Sequence, residues 1–246
     1  MSCQMQAIEK IVSPFQFRHL ATVDQLPPGA AEHFRRGVVP TTLKKGALLF
    51  RQGHPARGIY FLVQGKVKSY QEKKGGQRRI AHVYSEGDML GYCPLFTNGM
   101  HTYTVEALEN CTLHFMPSDA FNNLIGESPF FAQFMLRAVS QEFVAWTNFQ
   151  AAFDATPVRM RLALALLILH EKYRLPGNAT AVIQFTRTDL ADYVGASLET
   201  IVRTMREFRE NGVVHVRGRR IMVSDLEALI ALAMATGQVP SARALA

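Results

Sequence analysis

The stretch from Thr186 to Val223 constrains the fold of this chain most, because it predicts two short helices and a hairpin in close succession. Thr186 with Asp189 three positions later is typical of a helix start, and Gly195 favours the end of that helix. Ser197 can cap a second helix after the tight turn. The apolar segments that follow alternate around an arginine-rich tip, as the two strands of a hairpin do. The predicted order is therefore helix, turn, helix and wing.

The second of these helices has an apolar face and a polar face. Ile201, Met205 and Phe208 recur at i, i+4 and i+7 and are expected to face inward. This leaves Glu199 and Arg203 exposed near the helix start, where a carboxylate can accept from cytosine N4 and a guanidinium can donate to guanine O6 and N7. The residues that we predict to contact DNA bases or phosphates are Thr188, Ser197, Leu198, Glu199, Thr200, Val202, Arg203, Arg206, Arg217, Arg219 and Arg220.

Two other interpretations of this pattern remain open. A helix pair can be a packing motif whose charged face is merely solvated. The chain could also be a small-molecule-binding signalling module whose winged helix makes protein contacts. An enzyme is disfavoured, because the sequence holds no nucleophile elbow, no P-loop and no His/Cys cluster with metal-ligand spacing.

Composition and charge narrow the class of protein. The 246 residues are enough for two domains, and the formal net charge of +7 favours a polyanionic partner, although charge alone does not separate DNA from RNA or anionic lipid. The start of the chain lacks the pattern of a secretory signal, and the longest apolar run, residues 162–169, is far too short to cross a membrane. We expect a cytoplasmic protein without a membrane partner, and the three cysteines suit a reducing compartment.

The preceding part of the chain predicts a β-rich domain and a long helix. Residues 41–121 consist of short β-forming segments punctuated by glycines, which is typical of an antiparallel barrel or roll. Apolar residues then recur at steps of three and four from Ser128 to about Phe153. Thr156 is expected to cap a further helix directly after this one. Residues 181–185 predict a strand, and residues 236–246 predict a mobile tail.

Several of these segments resemble the cyclic-AMP receptor protein/FNR (Crp/Fnr) family of bacterial transcription regulators. Residues 186–203 and 218–221 are similar to its winged helix-turn-helix, and residues 49–53, 59–67 and 87–91 are similar to its cyclic-nucleotide-binding β-roll. The resemblance implies an α+β protein with an N-terminal double-stranded β-helix, a long dimerisation helix and a C-terminal winged helix-turn-helix. The implied domains are a β-roll effector-like domain (1–127), the dimerisation helix (128–155) and the DNA-binding domain (156–246).

The family pattern also assigns roles in DNA recognition. The resemblance implies that Glu199 and Arg203 read a G·C pair in each half-site of a palindrome. Leu198 and Val202 depart from the family, because polar base-reading residues stand at these positions in its two branches. The half-site should therefore contain the same G·C pair as the family's half-sites, and the neighbouring base pairs should differ from theirs. The implied partners are double-stranded DNA and a second copy of the chain, and RNA polymerase is compatible as a third.

The β-roll departs from the cyclic-AMP pattern. Family members that bind cyclic AMP supply a Glu and an Arg-Ser pair after the glycine that corresponds to Gly91. Here Tyr92 follows that glycine, and the pair falls on His101-Thr102 or Thr102-Tyr103. No Lys or Arg occurs in residues 80–136. Because a buried phosphate without a cation is costly, we predict that the protein does not bind cyclic AMP in the family manner.

The roll nevertheless has a candidate effector pocket, whose ligand the sequence does not specify. Cys93, His82, His101 and His114 raise a haem hypothesis, but no pair has diagnostic spacing, so haem is disfavoured. An iron-sulfur cluster is disfavoured as well, because only Cys3 lies near the N-terminus. No cofactor and no metal site are predicted. The candidate pocket residues are Tyr84, Leu90, Gly91, Tyr92, Cys93, His101, Thr102, Tyr103 and Phe143.

In the family the long helix packs against its copy in the second subunit. Its apolar residues are sufficient for more than one neighbour, so an intramolecular core helix is the alternative. Glu142 interrupts the row of apolar residues along this helix, and the sequence leaves open whether its side chain is solvated or paired. The residues predicted to form the dimer interface are Phe131, Phe134, Met135, Ala138, Val139, Ala145, Trp146 and Phe149.

Overall fold

The computed structural model describes residues 3–17, 28–73, 75–97, 99–174, 178 and 180–235. The predicted tail at residues 236–246 lies outside the described residues. The elements in chain order are α1 (Cys3–Val12), α2 (Pro28–Gly37), β1 (Val39–Leu43), β2 (Leu48–Phe50), β3 (Gly58–Gln64), β4 (Val67–Glu72), β5 (Arg78–Tyr84), β6 (Met89–Leu90), β7 (Thr104–Ala107), β8 (Cys111–Pro117), α3 (Ser118–Glu127), α4 (Pro129–Ala155), α5 (Val158–Tyr173), β9 (Ile183–Gln184), α6 (Arg187–Val194), α7 (Leu198–Glu210), β10 (Val214–Arg217), β11 (Arg220–Val223) and α8 (Leu226–Met234). Short 3-10 helices lie at Ser13–Phe15 and Cys93–Phe96.

These elements form two compact units. The roll unit comprises the described residues of 17–142, and the helical unit comprises those of 1–16 and 143–246. Helix α4 runs through the border, so its first half belongs to the roll unit and its second half to the helical unit.

The roll unit consists of two antiparallel four-stranded sheets. Their strand orders are β1-β8-β3-β6 and β2-β7-β4-β5, so neighbouring strands are often far apart in the sequence. Leu62 and Leu113, which are register partners on β3 and β8, are almost fully buried, as is Ile80 of β5. Ile59 lies three positions before Leu62 and therefore on the opposite face of β3, where it is buried in a cluster with Phe121 and Phe131. Gly65 has a φ of +101°, and a Cβ there would lie 2.7 Å from Cys111 Sγ, so only glycine fits this turn. The predicted β-roll is confirmed.

Helix α5 forms the centre of the helical unit. Residues 162–170 are all buried, as expected of a helix that is apolar on every side. It packs against α1, α6 and α8, which together surround it. Ile8, Ile11 and Val12 of α1 are buried as well, a contribution that the sequence pattern did not predict. No helix among the described residues is both long enough and apolar enough to cross a membrane.

Two local predictions need correction. Pro157 rather than Thr156 is the N-cap of α5, and the Thr156 hydroxyl instead donates to the Ala152 carbonyl oxygen (2.7 Å) of the preceding helix. The strand predicted at residues 181–185 is only β9, because just Ile183 and Gln184 pair with β11.

Candidate nucleic-acid interface and roll cavity

A capping box fixes the start of α6. The Asp189 N–H donates to Thr186 Oγ1 (3.0 Å), and the Thr186 N–H donates back to Asp189 Oδ2 (3.3 Å). Gly195 ends the helix in the left-handed conformation, with φ +70° and ψ +47°. A chain turned in this way by a glycine can start a new helix at once, so α7 follows after a short turn. These features confirm the predicted helix boundaries.

Helix α7 places one face in the core and the other in solvent. Its first turn is capped by Ser197, whose Oγ accepts from the Thr200 N–H (3.2 Å). Ile201, Met205 and Phe208 are each at most 2 % exposed, as the i, i+4, i+7 pattern predicted. Because these residues anchor the helix, the opposite face has a fixed orientation.

The exposed face of α7 presents a carboxylate and a guanidinium one turn apart. Glu199 and Arg203 are both exposed, and among the described residues neither forms an ion pair. Leu198 and Val202, beside them, are 47 % and 48 % exposed. Apolar side chains exposed to this extent on a helix of a folded domain are available for contact with a partner. The start of α7 therefore offers two polar and two apolar contacts on one surface.

Other charged residues of α7 are held by neighbours within the chain. Arg206 Nε donates to Glu210 Oε1 (2.7 Å) on the same helix, and Arg159 Nη2 pairs with Glu207 Oε1 (2.7 Å). Arg206, predicted to contact DNA, is thus exposed but engaged in an ion pair. A contact between Arg206 and a phosphate would have to replace that ion pair.

The wing places three arginines at one end of a two-stranded hairpin. Arg217 pairs with Arg220 in the register of β10 and β11, and Gly218 and Arg219 form the loop between them. Gly218 has a φ of +60°, the backbone conformation that a two-residue hairpin loop with glycine in first position requires. All three arginines are exposed, and Thr188 is exposed at the start of α6.

A cavity of about 60 Å³ lies inside the roll unit. The residues that line it are Phe50, Ser69, Tyr84, Met89, Leu90, Gly91, Tyr92, Cys93, Pro94, His101, Thr102, Tyr103, Val105 and Glu142. Eight of the nine predicted pocket residues are in this set. Phe143, the ninth, is not among the lining residues: its side chain is 67 % exposed, and its neighbour Glu142 lines the cavity instead. Successive helix residues point about 100° apart, which explains how a shift of one position changes the side that a residue faces.

Glu142 is the charged group of the cavity wall. The Tyr84 hydroxyl donates to Glu142 Oε1 (3.0 Å), and the Tyr92 hydroxyl donates to Glu142 Oε2. Burial, followed by the nearby Glu142 charge, raises the pKa of Tyr84 well above its ordinary value, so this tyrosine stays a neutral donor. The question that the sequence left open is settled, because Glu142 is paired with two tyrosines.

The remaining cavity wall is neutral at pH 7. His101 stacks on Phe50 with ring centroids 3.8 Å apart and ring planes 8° from parallel. Burial, followed by the charge of His54, lowers the pKa of His101 to about 4, so its ring carries no charge at neutral pH. Desolvation by the surrounding atoms raises the pKa of the Cys93 thiol although the residue as a whole is exposed, so the thiol is protonated. None of the described residues that line the cavity is a lysine or an arginine.

The predicted dimer residues of α4 are mostly inside their own subunit. Phe131, Met135 and Ala138 belong to the core cluster of the roll unit, with Phe134 and Val139 packed against it. In the helical unit, Ala145 and Phe149 are buried and Trp146 is half-buried. These five side chains pack within their own subunit, and the assignment of the eight residues to a dimer interface stays a prediction. The large apolar residues of α4 that are exposed are Phe130, Leu136, Phe143 and Val144.

Among the described residues, no group of three or more His, Cys, Asp or Glu side chains could hold a metal ion. The chain has three cysteines in total, one fewer than the four thiolates that usually hold an iron-sulfur cluster. These residues therefore do not fit such a cluster.

Both parts of the chain match families of known proteins. The model of the cyclic nucleotide-binding domain matches residues 40–128, and that of the Crp-like helix-turn-helix domain matches residues 160–232. The "Anaerobic regulatory protein" of Haemophilus influenzae is 29 % identical over 77 % of this chain and 74 % of its own length. The "Fumarate and nitrate reduction regulatory protein" of Salmonella typhimurium is 28 % identical over 80 % of this chain and 79 % of its own.

A solved structure supports the same fold. FixK2 from Bradyrhizobium japonicum superposes with a TM-score of 0.71, at 21 % identity, over 79 % of this chain and 96 % of that one. In this chain the cyclic nucleotide-binding domain comes first, helix α4 follows it, and the helix-turn-helix domain comes last. The chain belongs to the Crp/Fnr family of transcription regulators, whose DNA-binding element is the helix-turn-helix formed here by α6 and α7.

Proposed function

We propose that this protein is a sequence-specific regulator that binds a near-palindromic operator as a homodimer, without requiring cyclic AMP. The observation that carries the proposal is the exposed face at the start of α7, where Glu199 and Arg203 lie one turn apart. A recognition helix touches base edges with its first turns, and two copies would enter major grooves about 10–10.5 base pairs apart. Such a regulator would act on transcription by RNA polymerase in the cytoplasm.

The contacts of one half-site follow from side-chain chemistry. Arg203 can donate two hydrogen bonds to a guanine, and Glu199 can accept from a cytosine N4 amino group. Leu198 and Val202 offer only apolar surface, which suits thymine methyl groups. We therefore expect a G·C pair in each half-site, with A·T pairs beside it. Arg217, Arg219 and Arg220 would bind phosphates from the wing.

The exposed side of α4 supports a dimer contact different from the one the sequence suggested. Leu136 and Phe143 are 68 % and 67 % exposed. Ser140 and Thr147 complete the same stripe, since the four positions follow the spacing i, i+4, i+7, i+11. Both hydroxyls donate to carbonyl oxygens four residues earlier, at 2.8 Å and 2.9 Å, so a partner helix can cover the stripe without leaving either unsatisfied.

A titration in rising salt tests DNA binding against the alternative of a protein-contact module. The full chain should shift a duplex that carries a selected operator far more strongly than a random duplex. Its affinity for random duplex should fall steeply as salt is raised, because the release of counterions from the DNA gains less free energy at higher salt concentration. A winged helix that only contacts proteins would show weak and equal affinity for both duplexes.

The wing is expected to supply affinity but no sequence preference. Arg219→Ala removes one phosphate contact per subunit, so the slope of log affinity against log salt should flatten by about 1.8 for a dimer, or about 0.9 per contact. The ratio between specific and random duplex should stay the same. Fluorescence anisotropy at several salt concentrations measures both quantities. A changed sequence preference with an unchanged slope would contradict this role.

Cyclic AMP is not expected to bind the roll. The cavity wall carries the Glu142 carboxylate and no cationic side chain among the described residues, so it does not offset a phosphate charge. Isothermal titration of the full chain with cyclic AMP should give a dissociation constant weaker than about 1 mM, that is, less than about 4 kcal/mol of binding free energy. Micromolar binding would overturn this prediction.

A further inference from the structure

The wall of the roll cavity is negatively charged, whereas a site for an anion requires positive charge. Its lining contains one acidic side chain, Glu142, and no lysine or arginine among the described residues. The other titratable groups of the wall are tyrosines, Cys93 and His101. Burial raises the pKa of Tyr84, Tyr103 and Cys93 and lowers the pKa of His101 to about 4, so these four groups are neutral near pH 7. At neutral pH the wall therefore has a formal charge of −1, which attracts cations and repels phosphates.

The Glu142 carboxylate is held in a fixed orientation. Tyr84 and Tyr92 approach it from the sheet side of the cavity, one at each oxygen. Hydrogen bonds to a carboxylate stabilise its ionised form. The helix therefore presents a preorganised anionic group at the cavity rather than a mobile surface charge.

A second polar group in the wall is buried and incompletely hydrogen-bonded. Ser69 is 1 % exposed and lines the cavity. Among the described residues its Oγ forms no hydrogen bond of normal geometry, although it interacts with the Tyr84 hydroxyl closely enough to oppose the rise in the pKa of that tyrosine. A buried hydroxyl left unsatisfied is unfavourable, and a ligand that hydrogen-bonds to it would remove that cost.

We propose that the cavity binds a small organic cation with N–H donors, of the amine or amidinium class, at the Glu142 carboxylate and the Ser69 hydroxyl. An amidinium can donate two parallel hydrogen bonds to a carboxylate. The aromatic rings of Phe50 and Tyr103, which also line the cavity, provide faces on which a cation is stabilised. This inference goes beyond DNA binding and does not depend on it.

The cavity volume limits the size of the ligand group that can enter. In the same measure one water molecule needs roughly 10–15 Å³, so about 60 Å³ holds roughly four to six waters. A cationic group of a few non-hydrogen atoms fits this space. A whole nucleotide does not fit without rearrangement of the wall.

Three small probes of one shape and different charge test the proposal. Acetamidinium, acetamide and acetate carry charges of +1, 0 and −1 on nearly the same skeleton. Titrated into the full chain and followed by NMR, acetamidinium should bind at least about tenfold more tightly than acetamide, a difference of about 1.4 kcal/mol. Acetate should not bind measurably. Equal affinity for acetamidinium and acetamide, or no binding of any probe, would overturn the proposal.

Three variants locate the binding site. Glu142→Gln keeps the shape of the side chain and should reduce acetamidinium affinity to that of acetamide. Ser69→Ala removes a hydroxyl that forms no hydrogen bond of normal geometry with the described residues, and it should weaken acetamidinium binding several-fold. Glu86→Gln changes an exposed carboxylate outside the cavity wall and should leave affinity unchanged. If Glu142→Gln and Glu86→Gln lost acetamidinium affinity equally, binding would depend only on the overall charge of the protein and not on the proposed site.

Melting temperatures distinguish lost binding from lost folding. All three variants should melt within a few degrees of the wild type. If Glu142→Gln unfolds, Ser69→Ala still decides the outcome, because its replacement leaves the described hydrogen bonds of the fold intact. Unchanged acetamidinium affinity in Ser69→Ala would then refute the proposed site.

Discussion

Arg203→Ala is expected to weaken binding to the selected operator by about 1–3 kcal/mol per half-site, and by about 2–6 kcal/mol for a dimer that loses both contacts. The reason is that Arg203 is exposed on the fixed outer face of α7 and unpaired among the described residues, so its guanidinium can donate to guanine. Anisotropy titrations should compare operators with G·C, A·T, T·A and C·G at the expected position. The variant should lose its preference among the four.

Arg206→Ala provides the matched control on the same helix. Arg206 has the same charge and lies one turn further on, but it is already paired with Glu210. Exposed pairs of this kind contribute about 0–1 kcal/mol, so its removal should cause a small and sequence-independent loss of affinity. If both variants weaken binding equally on every operator, Arg203 acts only through its charge and does not read a base.

The double variant Leu136→Glu, Phe143→Glu is expected to convert the protein to a monomer. Both side chains are exposed on the stripe of α4 and would face their copies across a two-fold axis, where four carboxylates would repel one another. Sedimentation should give a mass near 27.5 kDa for the variant and about twice that for the wild type. Operator affinity should fall by about 100-fold or more, because the second half-site is no longer bound intramolecularly.

Gln141→Glu controls for the added charge. Gln141 is exposed on α4 but lies away from the stripe, so this variant should stay dimeric and keep its affinity. A double variant that remains a dimer would show that another surface joins the subunits. A wild-type protein that is monomeric on the operator would exclude the dimer altogether.

Local features of the fold could be predicted from the sequence. The capping box of Thr186 and Asp189, the glycine at 195 and the inward residues of α7 each depend on spacings of a few positions, and all were confirmed. Eight of the fourteen cavity residues were also predicted, and five of these eight lie in the stretch that follows Gly91. Short-range geometry therefore determined both the DNA-contacting helix and one wall of the cavity.

The parts that could not be predicted depend on long-range contacts. Tyr84 and Glu142 are 58 positions apart and meet only because the roll and α4 fold together. The apolar pattern of α4 shows which positions are apolar but not which element covers them. Phe131, Met135 and Ala138 therefore could not be assigned to the subunit core, and Leu136 could not be identified as exposed, without the coordinates.

Selection of bound sequences from a random DNA pool tests the central claim most directly. Glu199 and Arg203 on two copies of α7 predict an enriched near-palindrome with a G·C pair in each half-site and half-site centres about 10–10.5 base pairs apart. The same selection with Arg203→Ala should lose the G·C preference and keep the spacing. Enrichment of a sequence without two-fold symmetry, or no enrichment over random DNA, would contradict base reading by a pair of these helices.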